Sequence, residues 1–313
     1  MGGFGLVFPG QGAQYMGMGM DLCSLYDDVR ESFVKAGEVL EMDVASLCFE
    51  GPRELLDLTI NTQIAVLTLE MALFALLHKQ LPDAPVVMAG HSLGEYAALH
   101  ASGALGFSDA LTLVRARAHH HQNAVAVGEG AMAAVVGLNK DTVEEICRSV
   151  RSDTAWVGVA ILNGPEQVTI SGHSAAVEEV MTKAGQREGV RVVKLPISVP
   201  CHSPLLNKTS EWFKEDLGKV QFDDFQVPVI PNCDPAIFFD RDNVRGLLAR
   251  QIISTVRWQE AVEKMKAMGV HTIVEVGPGR VLGGLIKRID RSFRLLNVED
   301  PASLDKTLEA LKV

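Results

Sequence analysis

The stretch Val86-Val87-Met88-Ala89-Gly90-His91-Ser92-Leu93-Gly94-Glu95-Tyr96 decides the fold. Its apolar start reads as a buried strand that stops at Gly90, and a helix-forming run with apolar spacing begins just after Ser92. The pentapeptide Gly90–Gly94 fits G-x-S-x-G, the nucleophile elbow, in which a serine sits on a sharp strand-to-helix turn. The serine there takes a strained backbone conformation, and the flanking glycines let neighbouring backbone come close. Its Oγ projects from the sheet, and the helix behind it offers unpaired N–H groups to a developing oxyanion. The same five residues also suit a plain glycine-rich turn with a capping serine. The catalytic reading therefore needs partners elsewhere in the chain.

Gly5–Phe8 reads as another short buried strand, ending in Pro9-Gly10-Gln11-Gly12-Ala13-Gln14. A loop directly after such a strand lies where open α/β sheets bind ligands. No third glycine falls at dinucleotide spacing. If this loop neighbours the elbow, the backbone N–H groups of Gln11 and Leu93 form an oxyanion hole. Residues 20–80 are mostly helical in pattern, with a long helix opening near Thr62, and Pro82 and Pro85 precede the strand. Ser108-Asp109 is expected to cap a helix over 110–124 that carries Arg117 and His119-His120-His121. Consecutive histidines on a helix point in different directions, so a solvated face is expected there and no metal site.

From Gly128 the pattern changes to strand 131–138, helix 141–150 capped by Asp141, strands 156–162 and 167–171, helix 174–184 and strand 190–195. That β-α-β-β-α-β order is the ferredoxin-like unit. The expected architecture is α/β. A large α/β-hydrolase-like domain with a central, mostly parallel sheet (1–127 and 198–313) carries an inserted ferredoxin-like small domain (128–197). The small domain begins at Val127-Gly128-Glu129-Gly130 and exits into Val199-Pro200-Cys201-His202-Ser203-Pro204, where two prolines hold the chain extended. Of nine histidines, His202 alone sits in a proline-fixed loop at a domain exit, which makes it the candidate base for Ser92. A core or surface histidine is the alternative. Further strands are expected at 227–231 and 271–276, with helices over 206–217, 243–253 and after Arg280, the last bearing Lys287, Arg288, Arg291 and Arg294.

A chain of 313 residues suits about two domains, and 47% hydrophobic with 22% charged residues is a globular composition. The net charge of −10 argues against nucleic acid as a partner. Five scattered cysteines with no C-x-x-C pair favour a reducing compartment, and no signal peptide is evident, so a cytoplasmic location is expected. No uninterrupted apolar run reaches the roughly 18 residues of a membrane span, since Glu70 breaks the longest one, and no membrane association is expected.

Five motifs in order carry a resemblance: Phe8–Gln14, Gly90–Tyr96, Arg117, Val199–His202 and Glu275-Val276-Gly277-Pro278-Gly279. Together they span almost the whole chain, which resembles the malonyl-CoA:acyl-carrier-protein transacylases of type II fatty acid synthesis, an acyltransferase family shared with polyketide synthases. The resemblance implies ping-pong transfer of a malonyl group from malonyl-CoA to the phosphopantetheine thiol of acyl carrier protein. It passes through a malonyl-Ser92 ester, with His202 as base and no cofactor or metal. In similar enzymes the histidine is oriented by a backbone carbonyl at the position of Gln251, and an arginine at the position of Arg117 pairs with the malonyl carboxylate. A guanidinium fork matches a carboxylate and rejects uncharged acyl groups. Gln63 and Asn163 match site-lining positions, although Asn163 in Asn163-Gly164-Pro165 also suits a turn. Cys201 departs from the small residue that relatives often carry, and its thiol is a candidate for alkylation. The stretch Ser198–Cys201 does not match the motif of methylmalonyl-selective relatives. An acidic carrier meeting an acidic enzyme needs a local basic patch, for which Arg280, Lys287 and Arg288 are the candidates. A serine hydrolase or thioesterase is the alternative function, and a non-catalytic carrier-binding module a third. A monomer is expected, because no element needs a partner.

Overall fold

The computed structural model describes residues 3–81, 83–126 and 128–312. Pro82 and Val127, the first residue of the expected small-domain boundary, lie outside them. The central sheet is wholly parallel, in the order β7-β2-β1-β8-β9. Its strands are β1 (Phe4–Phe8), β2 (Val87–Gly90), β7 (Val229–Ile230), β8 (Thr272–Val276) and β9 (Arg294–Val298). β1 lies in the middle and is buried along its length, as a parallel strand covered on both faces must be. Phe8 pairs with Gly90 across β1 and β2, so the loops that follow them leave the sheet at the same level. That level is the carboxyl end of the strands, where sheets of this kind place their ligands.

Helix α5 (Thr59–His78) lies in the core. It is long and apolar enough to cross a membrane by length and composition, yet 83% of its most apolar window is buried inside the protein. Its start three residues before Thr62 follows from helical turns at Leu58, whose carbonyl accepts the N–H of Thr62.

The second sheet is antiparallel, in the order β4-β5-β3-β6. Its chain path is β3 (Gly130–Val136), α8 (Lys140–Val150), β4 (Val157–Gly164), β5 (Gln167–His173), α9 (Ser174–Gly185) and β6 (Arg191–Lys194). This is the ferredoxin-like unit, and it has a core of its own built from Val135, Val143, Ile146, Val168, Ile170, Val177 and Val180. Three of its strand residues, Met132, Ala160 and Ile161, belong instead to the large core. The N–H of Leu162 donates to the carbonyl of Val256 at 2.8 Å, and that of Val256 to the carbonyl of Ala160 at 2.9 Å, tying β4 to the large body.

Several local expectations need correction. Helix α7 spans Phe107–Gln122, so Ser108 and Asp109 lie inside its first turn and neither caps it. The N-cap of α8 is Asn139, whose side chain accepts from the N–H of Thr142, and Asp141 is already helical. The triple histidine is not one solvated face: His119 is exposed, His120 pairs with Asp216, and His121 is fully buried. Helix α13 (Val281–Ile289) ends before Arg291, and Arg294 opens β9. Helices α12 (Trp258–Ala267) and α14 (Pro301–Leu311) and strand β9 were not anticipated.

Candidate active site

Ser92 stands between β2 and helix α6 (Gly94–Ala101) at φ 53°, in the left-handed region that non-glycine residues rarely adopt. Neighbouring backbone holds it there. A Cβ on Gly90 would sit 1.9 Å from the carbonyl carbon of Gly94, and one on Gly94 would sit 2.2 Å from the carbonyl oxygen of Phe8. Both glycines of the elbow are thus required by close approach. A Cβ on Gly10 would likewise meet the carbonyl oxygen of His91 at 2.5 Å, so the Pro9–Gln14 loop and the elbow touch backbone to backbone.

The prolines flanking His202 do not leave it extended. It has φ 59°, and with Ser92 and Glu41 it is one of three non-glycine residues at positive φ among the described residues. The side chains of these two residues meet, Ser92 Oγ lying 2.8 Å from His202 Nε2. His202 Nδ1 lies 2.9 Å from the backbone carbonyl of Gln251, on α11 (Val244–Ile253). A carbonyl only accepts, so Nδ1 carries the proton and Nε2 is left as an acceptor facing the serine.

Arg117 reaches the same point from α7 and is 3% exposed. Its Nη1 donates to Gln63 Oε1 at 2.6 Å, and its Nη2 to Gln251 Oε1 at 3.1 Å and Ser92 Oγ at 3.0 Å. It forms no ion pair among the described residues, and its Nε is buried without a partner. A buried guanidinium held only by neutral groups is open to an anion. A small cleft of about 50 Å³ opens over Ser92, lined by Gln11, Gln63, Leu93, Arg117, Cys201 and His202, with Met132, Ile161 and Ile197 as its apolar wall.

Residues 6–302 match the family model described as the acyl transferase domain. The chain belongs to the acyl transferase family. It is 39% identical over 306 residues to the malonyl CoA-acyl carrier protein transacylase of Bacillus subtilis, covering 98% of this chain and 96% of that one. The Escherichia coli K12 enzyme of the same name is also 39% identical, with 98% and 99% covered. The solved malonyl CoA-acyl carrier protein transacylase of Coxiella burnetii superposes with a TM-score of 0.96 at 39% identity, over 100% of this chain and 98% of that one. A malonyl-transacylase solved in complex with a type II polyketide synthase acyl-carrier protein superposes at 0.94 and 38% identity, over 98% and 99%.

In this acyl transferase the remaining expected residues divide. Gln11 and Leu93 both line the cleft beside Ser92, and among the described residues neither backbone N–H has an acceptor. Gln63 is buried against Arg117. Asn163 belongs to β4 rather than to a turn, and its side chain is occupied by His91 Nε2 at 2.9 Å and Thr169 Oγ1 at 3.4 Å, one step back from the cleft wall. Arg280 pairs with Glu299, and Arg288, on α13, bonds Gln167 of β5 in the small unit. Arg280 and Lys287 line a surface groove separate from the cleft over Ser92. Cys201 is buried, and burial pushes its thiol up to about 11, which argues against reactivity toward alkylating agents.

Burial pushes His202 down to about 3, and the adjacent Arg117 charge acts in the same direction, against the pull of the Gln251 carbonyl. Burial likewise lowers His91, and drives His121 well down, with Arg117 again adding to the effect. Sequence reasoning missed two residues beneath the nucleophile. Asn232 Oδ1 accepts the N–H of Ser92 at 2.6 Å, and its Nδ2 donates to the carbonyl of Gly90 at 2.6 Å. Glu95, fully buried, accepts from the backbone N–H of Asn232 and from Gln251 Nε2. A lone carboxylate on the otherwise apolar helix Gly94–Ala101 was the available signal.

Proposed function

We propose that this acyl transferase moves a malonyl group from malonyl-CoA to the phosphopantetheine thiol of acyl carrier protein, in the cytoplasm, as a monomer and without a cofactor. The observation that carries the reading is Arg117: a buried cation with no carboxylate partner among the described residues, 3.0 Å from the hydroxyl that would carry the acyl group. The relatives named for malonyl transfer, alike over nearly their whole length, support it.

The chemistry follows from the geometry. Ser92 Oγ attacks the thioester carbonyl while its proton passes to His202 Nε2. The N–H groups of Gln11 and Leu93 receive the oxyanion. The C–S bond then breaks, and the coenzyme A sulfur takes the proton from His202, leaving a malonyl ester on Ser92. The carrier thiol next gives its proton to His202 and attacks the ester. Collapse of that second intermediate returns the proton to Ser92 Oγ. The malonyl carboxylate pairs with Arg117. Because the bare Arg117 charge depresses His202, a carboxylate on Arg117 also raises the proton affinity of the base, so the correct substrate strengthens its own catalyst. An acetyl group does neither.

The test is to mix the protein with labelled malonyl-CoA and follow Ser92 by mass spectrometry. An adduct on Ser92 that persists until carrier protein is added, and then moves to it, is the expected result. Rapid release to water would show a hydrolase, and no adduct a carrier-binding module.

A further inference from the structure

We infer that Glu95 positions Arg117 through the side-chain amide of Gln251, and thereby sets the preference for an acyl group bearing a free carboxylate. This inference rests on the malonyl reading above. Glu95 does not line the cleft; it lies under it, on the first turn of α6. Each of its oxygens faces a donor, the backbone N–H of Asn232 on one and Gln251 Nε2 on the other. Gln251 Nε2 also donates to the carbonyl of Ser92 at 2.9 Å, so both amide protons point away from Arg117. The other end of the amide, Oε1, accepts from Arg117 Nη2 at 3.1 Å.

An amide has one donating end and one accepting end, a carboxylate accepts, and a guanidinium only donates. The acceptors at Glu95 and at the Ser92 carbonyl together therefore dictate which end of Gln251 meets Arg117. With the acceptor at Glu95 gone, nothing at 95 opposes the reversed amide, which turns an NH2 toward a guanidinium that cannot accept. Burial pushes the Glu95 carboxyl up to about 8, and the Asn232 N–H, the Gln251 amide and the Arg117 charge pull against that rise. Two donors on two oxygens suit the ionised form. Gln251 is also the residue whose backbone carbonyl orients His202, so one residue bonds Ser92 and Arg117 through its side chain and His202 through its backbone. The second arm of Glu95, through Asn232, serves the backbone of Ser92 and has no contact with Arg117.

The test compares transfer from malonyl-CoA and from acetyl-CoA by the same preparation of a Glu95→Gln variant. The ratio of the two rates does not depend on how much of the variant is folded or on a shared loss at Ser92. The malonyl-to-acetyl ratio is expected to fall about tenfold or more from its wild-type value, the effect of losing a hydrogen bond to a charged group. In a Gln251→Met background, which keeps the backbone carbonyl for His202, adding Glu95→Gln should move the ratio no further. An unchanged ratio in Glu95→Gln, or an equal further fall in the Gln251→Met background, overturns the inference. A wild-type protein with no malonyl preference overturns the reading beneath it instead.

Discussion

Acid should destabilise this protein in a way that can be traced to one side chain. His202 has its pKa held down to about 3 in the folded protein against an ordinary value of 6.5. Between those values the unfolded chain holds a proton that the folded site refuses. The stability that His202 contributes is therefore fully present above about pH 7 and is lost as pH falls through 6.5 toward 3. Between pH 7 and pH 5 the loss from this one histidine is about 2 kcal/mol. That is a substantial part of the roughly 5–15 kcal/mol that holds a typical domain folded. Asparagine in its place has no proton to bind. Urea unfolding of the wild type and of His202→Asn at both pH values gives the comparison. The wild type should lose about 2 kcal/mol more than the variant on acidification. The contributions of His91 and His121, also held down by burial, are common to both proteins and cancel. Equal losses would refute the picture of His202 as a buried base kept neutral beside Arg117.

Replacing Arg117 by Ala should lower kcat/KM for malonyl-CoA by about two to three orders of magnitude, as expected for deleting one member of a buried ion pair. The loss with acetyl-CoA should be much smaller, and a uniform loss would remove the role assigned to the guanidinium. Reversing charge at Lys287 and Arg288 should raise KM for carrier protein and leave that for malonyl-CoA little changed; steady-state kinetics with each substrate varied decide this, and equal effects would exclude a carrier-only surface. Gly94→Ala places a methyl group 2.2 Å from the carbonyl oxygen of Phe8 and should lower Tm sharply in a thermal melt, through a clash worth about 3 kcal/mol or more. A variant that melts with the wild type would show that the elbow tolerates a wider turn.

Much of the architecture was legible in the sequence because its signals are local. Phe4–Phe8 and Val87–Gly90 are short apolar runs stopped by proline or glycine, and the β-α-β-β-α-β order of the small unit follows from alternating periods. The misses also have physical reasons. Strand β9 is only partly buried at the edge of the sheet, so its pattern is weak. Helix α14 did announce itself, with Asp300 and Ser303 forming a capping box around Pro301, and a reading attentive to caps would have found it. Ser108 and Asp109 misled because a good capping residue one turn too late looks the same in sequence as one in place. In the site, Ser92 and His202 were visible through glycine and proline spacing. Glu95 and Asn232 were not, because they act on backbone groups 137 and 140 residues away in sequence and on an amide 156 residues away. No period or motif encodes such a meeting; only the closed sheet produces it.

The order of the parts along the chain has a consequence during synthesis. Ser92 leaves the ribosome 110 residues before the histidine that activates it and 159 residues before the glutamine that orients that histidine. Strand β8, which flanks β1 at the centre of the sheet, comes later still. A growing chain thus exposes its nucleophile early but without a base and without a guanidinium in register. A chain stopped before Gln251 lacks the carbonyl that orients the base, so the hydroxyl gains its full set of partners only after that residue has been added.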